Sequence, residues 1–261
     1  MRVIMEIYQH FRQEEQAFID QALDWKEQVE VQYKRVVTDF LDPREQTIFQ
    51  SIIGKQSDLQ LRFFGGYDQA ERKQAILAPF YEEVGQDQFD LTVLEGSYHQ
   101  KFVSLSHRDV LGTLMSLGIQ RKKIGDLIVE DGIFQIILDR DIAVFVQMQL
   151  TKIKHTSISL KEVPFTQIIE PKHKWDEKDT TVSSTRLDVV LKEIYQMSRQ
   201  KAQDFINKEA VKVNYRVVQD PAFTVEPGDL ISLRKKGRSK VIDILGETKK
   251  QKYLIRIAKL K

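Results

Sequence analysis

The sequence predicts an α+β protein in three parts: a helical N-terminal domain over 1–80, a ferredoxin-like (βαββαβ) middle domain over 81–168, and a small α/β domain over 185–261. Three observations carry that expectation. Apolar residues recur at helical spacing through most of the first eighty positions, then give way to alternating runs separated by two helix signals. The charge changes sign along the chain: residues 181–261 hold 18 Lys and Arg against 9 Asp and Glu, while residues 1–180 hold 22 against 29. Between them Glu170-Pro-Lys-His-Lys-Trp-Asp-Glu-Lys-Asp-Thr-Thr-Val-Ser-Ser184 is charged and without apolar period, which reads as a linker over 169–184.

In the N-terminal part, Val3, Ile7 and Phe11, then Phe18, Ala22, Trp25 and Val29, follow helical spacing. Asp42 is placed to cap a helix that opens on Pro43, buries Ile48, Ile52 and Ile53, and stops at Gly54. Leu59, Leu61 and Phe63 alternate like a short strand. Gly65-Gly66 turns the chain, and Asp68-x-x-Glu71 is the capping box of a helix to about Leu77.

In the middle part, Phe89–Glu95 and Lys101–Leu105 read as strands that meet around Gly96-Ser97. Ser106-x-x-Asp109 caps a helix facing inward through Val110, Leu111, Leu114 and Leu117, with Gly118 as its left-handed end. Asp131-Gly132 is the turn of a hairpin between Asp126–Glu130 and Ile133–Leu138. A helix over Ile142–Ile153 and a strand over Ser157–Val163 complete the order. RNA-recognition modules share this RRM-like topology, but a fold alone does not give a function. The strands here are apolar and acidic (Leu91, Val93, Leu94, Glu95; Ile128, Val129, Glu130, Asp131), and Phe89, Phe102 and Phe134 are scattered, with Phe102 core-like. This sheet is therefore expected not to bind RNA by itself. It is expected to position the basic domain or to meet the surface of a protein or a larger particle, through His107, Arg108, Asp109, Arg121, Lys122 and Lys123.

In the basic part, Thr185-Arg-Leu-Asp188 reads as a capping box, followed by Leu187, Val190, Leu191 and Ile194 on one helical face. Ser198 starts a second helix, Arg199–Lys208, with Ala202, Phe205 and Ile206 inward. Val211 and Val213 alternate with Lys212 and Asn214, Val217-Val218 resumes the strand, and Pro227-Gly-Asp229 turns into Leu230, Ile231 and Leu233. Arg186 and Arg199 stand at helix starts, where unpaired N–H groups favour an anion. Lys201, Lys212, Arg234, Lys235, Lys236, Arg238 and Lys240 extend the positive field.

Several chemistries are set aside by the residues themselves. The chain has no cysteine, so disulfides, thiol catalysis and Cys-ligated metals are excluded. Met1–Gln16 lacks the apolar core of a signal peptide, and Ile142–Met148 is too short to span a bilayer, so a soluble cytoplasmic protein is expected. His107-Arg-Asp109 spells a kinase triplet without the Asn, glycine-rich loop or Asp-Phe-Gly that would give it meaning. Gly54-Lys55 lacks the frame of a phosphate loop, and the five His show no ligand spacing. Asp139-x-Asp141 reads as a helix start before it reads as a cation site. No catalytic residue, metal or cofactor is assigned.

The basic part resembles the RNA-binding domain first seen in ribosomal protein S4. The carrying residues are Arg186-Leu187-Asp188, Ser198-Arg199-Gln200-Lys201-Ala202, Val211-Lys212-Val213-Asn214 and Gly228-Asp229. Glu209 and Tyr215 stand where that family usually has Gly; the second suggests a different hairpin turn and offers a ring for stacking on a base. The rest of the chain resembles the YlmH-type RNA-binding proteins through Phe40-Leu-Asp-Pro-Arg-Glu45, Gly65-Gly-Tyr-Asp-Gln-Ala-Glu-Arg72, His107-Arg-Asp-Val-Leu-Gly112 and Gly125-Asp-Leu-Ile128. The resemblance implies an S4-like (αL-type) fold acting on structured RNA: tRNA or ribosomal RNA on the large ribosomal subunit, in rescue of stalled translation. Its RNA-binding residues would be Arg186, Leu187, Asp188, Ser198, Arg199, Gln200, Lys201, Lys212, Asn214 and Tyr215, with Arg234, Lys235, Lys236 and Arg238 added by charge. A monomer without a membrane partner is expected. The rivals are an RNA-modifying enzyme such as a pseudouridine synthase, and a scaffold for division proteins.

Overall fold

The computed structural model describes residues 11–54, 58–99, 103–130, 132–171, 174–248 and 251–260. The helical reading of Val3 and Ile7, the strand reading of Lys101 and Phe102, and Asp131 of the expected hairpin fall outside them. The chain divides into two compact units, Met1–Pro171 and Lys172–Lys261.

The first unit opens with α1 (Gln16–Gln32), which buries Ile19, Ala22 and Val29 and stops where Tyr33 turns left-handed, φ 54°. Helix α2 (Pro43–Ile53) is capped as its sequence predicts. Asp42 accepts from the backbone N–H groups of Arg44 and Glu45, and the Glu45 carboxylate accepts from the Asp42 N–H in return. Strands β1 (Val36–Val37), β2 (Leu59–Phe64) and β3 (Gln74–Pro79) form an antiparallel sheet in the order β1-β3-β2.

The helix expected from Asp68 to Leu77 is not formed; β3 stands in its place. Every residue of β3 is buried at the centre of the sheet, and burial on both faces removes the alternation that marks a strand. The donors of the supposed cap are used elsewhere. Glu71 N and Arg72 N donate to Asp126, at 2.7 and 3.0 Å.

The middle part runs β4 (Leu91–Ser97), α3 (His107–Ser116), β5 (Ile124–Glu130), β6 (Ile133–Asp139), α4 (Ala143–Gln149), a small hairpin of β7 (Lys152–Ile153) and β8 (Thr156–Ser157), and β9 (Leu160–Val163). The four long strands lie antiparallel in the order β5-β6-β4-β9, the split βαβ sheet that the sequence predicts. Two local readings are corrected. No strand occupies 103–105, and β4 continues through Gly96 to pair Ser97 with Ile133. Gly96 is there because a Cβ would collide with the buried Phe134 ring, not because the chain turns. Helix α4 ends at Gln149 rather than Ile153, since Leu150 leaves helical geometry and the small hairpin follows.

Helices α3 and α4 cover one face of this sheet, burying Leu94, Phe134, Ile136 and Leu138 against Val110, Leu114 and Val146. The opposite face is covered too. Leu91, Val93 and Ile137 pack with Phe40, Phe64, Ile76 and Ala78, so the parts on either side of residue 80 share one core. Polar groups complete this joint: Asp126 also accepts from the Tyr67 hydroxyl at 2.9 Å, and Arg72 donates to the carbonyls of Phe40 and Ile124. A Cβ at Gly125 would meet the Phe40 ring at 2.5 Å. Three of the four stretches that resemble YlmH-type proteins therefore meet at one joint.

In the second unit, α5 (Leu187–Tyr195) and α6 (Arg199–Asn207) pack on a six-stranded antiparallel sheet. Its strands are β10 (Trp175–Val182), β11 (Val211–Val213), β12 (Arg216–Val217), β13 (Leu230–Leu233), β14 (Gly237–Glu247) and β15 (Tyr253–Leu260), in the order β10-β15-β14-β13-β11-β12. Half of the stretch expected as a linker over 169–184 is β10, paired in register from Trp175↔Leu260 to Val182↔Tyr253. It lies at a sheet edge and only Val182 among its residues is buried, so it carries no apolar alternation to read.

Candidate nucleic-acid interface

The basic unit is organised around one buried carboxylate. Asp188, fully buried, accepts from Arg186 Nε at 3.1 Å and Nη2 at 3.3 Å, from Arg199 Nε at 2.9 Å, and from Gln203 Nε2 at 2.8 Å. Burial alone raises a carboxyl pKa; here the donors Arg186, Gln203 and Arg199 outweigh it and hold Asp188 at about 2. The expected capping box from Thr185 to Asp188 is absent, and Arg186, the N-cap residue, makes no side-chain cap. The first N–H groups of α5 are satisfied by the chain itself: Leu187 N donates to Phe223 O and Asp188 N to Pro221 O. With those donors used, the anion site expected at this helix start is not open, and its Asp is free to tie α5 to α6.

This changes the role of both arginines. Each head group is bound to Asp188 on one edge, while the side chain stays 39% exposed for Arg186 and 53% for Arg199. A guanidinium has five N–H donors, so a group locked on a carboxylate still presents donors to water or phosphate. Ser198 caps α6 through Lys201 N, as its sequence predicts. Leu187 is core and cannot touch a ligand. Gln203 is the residue that sequence reasoning missed. Its only signal was position, four residues after Arg199 on the same helical face.

The remaining residues fall into two groups. Asn214 is structural: its side chain donates to Asp229 Oδ1 at 2.7 Å and accepts from Leu230 N at 2.9 Å, joining the two turns that carry the motif. Gln200 bonds Asp204 along its own helix. Lys201, Lys212, Lys235 and Lys236 are exposed and have no carboxylate partner among the described residues, whereas Arg234 leans on the Glu209 carbonyl. Arg234, Lys235 and Lys236 form the turn from β13 to β14, followed by Gly237 and Arg238. That turn sits at the ends of α5 and α6, through Tyr195 to Gly237 O and Arg234 N to Ala210 O.

The hairpin at Tyr215 is not of a different kind. Asn214 and Tyr215 both have positive φ, 47° and 67°, the two-residue turn that favours Gly in its second place; Glu209 is likewise left-handed, φ 54°. A side chain there costs about 1 kcal/mol. Tyr215→Gly is expected to raise stability by roughly 0.5 kcal/mol while weakening RNA binding. Urea unfolding and a binding titration on one variant check both signs; unchanged affinity would show that the ring is no base contact.

The cluster expected at the edge of the middle part is split. His107, Arg108 and Asp109 begin α3 and Arg121, Lys122 and Lys123 follow its far end, about 15 Å along the axis. Asp109 is taken by the Ser106 cap and by Lys154 at 2.7 Å. Arg121 donates to Gly125 O, and burial, then Arg72, lowers its pKa to about 10. Lys122 pairs with Asp39, and Lys123 bridges Asp39 and Asp139 at 2.9 and 2.8 Å. Asp139 in turn caps the turn at Arg140–Ile142, which is the helix-start role read for it.

Comparison with known proteins agrees with this geometry. Residues 14–82 match the family model "YlmH, N-terminal", residues 85–167 match "Putative RNA-binding domain in YlmH", and residues 185–231 match the S4 domain. The chain is 45% identical over 250 residues to Ribosome-associated protein quality control protein P2 of Bacillus subtilis (strain 168), covering 96% of this chain and 97% of that protein. A solved structure, Cell division protein ylmH from Streptococcus pneumoniae, is similar with a TM-score of 0.54 and 32% identity, covering 62% of this chain and 99% of that one.

Proposed function

Because the chain belongs to the YlmH family of S4-domain proteins, we propose that it is a non-enzymatic RNA-binding protein of the ribosome, acting in rescue of stalled translation. Its ligand is structured RNA, tRNA or ribosomal RNA on the large subunit, and it works as a cytoplasmic monomer. The observation that carries this reading is the pair of half-exposed guanidiniums locked on buried Asp188, in a unit of net charge +9. A fixed pair of planar donors suits phosphates held at set spacing by a folded RNA.

An RNA-modifying enzyme is disfavoured by the same carboxylate. The only Arg-Leu-Asp of the chain ends in Asp188, which is buried and committed to three side chains, so it is no nucleophile. The middle sheet is disfavoured as a base-stacking platform, because the face that such sheets use lies against Phe40, Phe64, Ile76 and Ala78. Exposed His107 and Arg108 remain the edge for contact with a ribosomal particle.

Binding is expected to reside in the unit Lys172–Lys261, with little in residues 1–171. If about five basic side chains each neutralise a phosphate, log affinity falls with log salt at a slope between roughly −3 and −5. Titrations of both pieces at several salt concentrations test it. An affinity indifferent to salt, or one carried by residues 1–171, overturns the reading.

A further inference from the structure

The C-terminal sheet has a second face, turned away from α5 and α6. Strand pairing aligns Lys212 with Ser232 and Ser232 with Arg238; two residues on, Leu230 faces Lys240 and Lys240 faces Ala258. Each alternates with a buried inward residue (Val211, Val213, Ile231, Leu233, Ser239, Val241), so the pleat puts Lys212, Arg238 and Lys240 together on the outer face. Trp175, at the start of β10, joins them. Its ring is half-buried, and Lys240 Nζ stands 4.5 Å from the ring centroid. From Lys212 on β11 to Trp175 on β10 the sheet crosses four strand spacings, about 19 Å.

An indole held half-buried by its neighbours offers a rigid stacking surface at little entropic cost, and cations beside it suit phosphates. The acidic residues of the same face are Glu177, in the row of Lys240 across Ala258, and Asp179 and Asp243, both in register with Arg256, which holds Asp179 at 2.7 Å. We propose that this outer face is a platform for single-stranded RNA: an unpaired base stacks on Trp175 while Lys240, Arg238 and Lys212 take the flanking phosphates. The proposal rests on the RNA-binding reading of the unit but uses a surface other than the Arg186–Asp188–Arg199 cluster.

The chain has two tryptophans, Trp25 and Trp175. Trp25→Phe therefore leaves Trp175 as the only indole, in the full-length protein. Its emission is followed while adding an oligoadenylate of about twelve nucleotides, or a short RNA hairpin without single-stranded tails. The oligoadenylate is expected to quench Trp175 in step with binding measured by anisotropy. Trp175→Leu, which keeps an apolar cover without a stacking face, is expected to lower oligoadenylate affinity about tenfold and hairpin affinity less than about twofold. Lys240→Gln is expected to reduce the salt slope for the oligoadenylate by about one. Unchanged emission at saturation, or Trp175→Leu binding the oligoadenylate like the parent, overturns the proposal. If Trp175→Leu does not fold, the quenching decides alone. Failure of the cluster reading is separate: it appears as Arg199→Ala binding the hairpin normally.

Discussion

Asp188→Ala is expected to destabilise the C-terminal unit by about 3 kcal/mol, well above the roughly 1 kcal/mol of a lost helix cap. The carboxylate is fully buried and receives three side chains from two helices, so its removal takes out the link between α5 and α6 at once. The loss stays near the low end for a broken buried pair because Arg186 and Arg199 can turn toward water. Urea unfolding of the full chain measures it; a loss under about 1 kcal/mol would return Asp188 to a capping role.

The same carboxylate sets an acid limit. Its folded pKa, about 2, lies below the 3.8 of a free Asp, so its contribution is complete above about pH 4. The contribution is lost as pH falls from about 4 toward 2. Stability of Asp188→Asn is therefore expected to be flatter than that of the parent across this window.

Lys123→Glu is expected to destabilise the first unit by a similar amount, about 3 kcal/mol. Lys123 bridges Asp39 and the buried Asp139; although burial opposes its charge, bonds to Asp139 and Asp39 raise its pKa. A third carboxylate there leaves the buried Asp139 without its cation and Asp39 with Lys122 alone. Substitutions at Arg121, Lys122 or Lys123 therefore disturb folding and cannot isolate a contact with a particle. The contact edge is tested by His107→Glu with Arg108→Glu, both being exposed, with stability expected within about 0.5 kcal/mol of the parent. Lost association with ribosomal particles at unchanged naked-RNA affinity supports a contact edge; equal loss in both assays sinks it. Thermal unfolding followed by circular dichroism checks the Lys123 variant.

Much of this protein follows from local sequence. The α2 cap at Asp42-Pro43, the Ser106 and Ser198 caps, the order of strands and helices in the middle part, and the charge split each depend on residues close in the chain. Their energies are local, so their signals are local. The four motif elements of the basic unit are legible for the same reason, each being a turn, a helix start or a short alternating strand.

What tertiary structure decided is where partners come from far away. Strand β3 reads as helix because both its faces are buried, and β10 reads as linker because an edge strand needs little apolar pattern. Asp188 reads as a cap because its spacing allows one. Only the folding of α6 across α5 brings Arg199 and Gln203 within reach, and only the pairing of β10 with β15 carries Trp175 to Lys240. A hydrogen bond or a cation over a ring depends on distance in space, and sequence spacing sets that distance only within a turn or a helix.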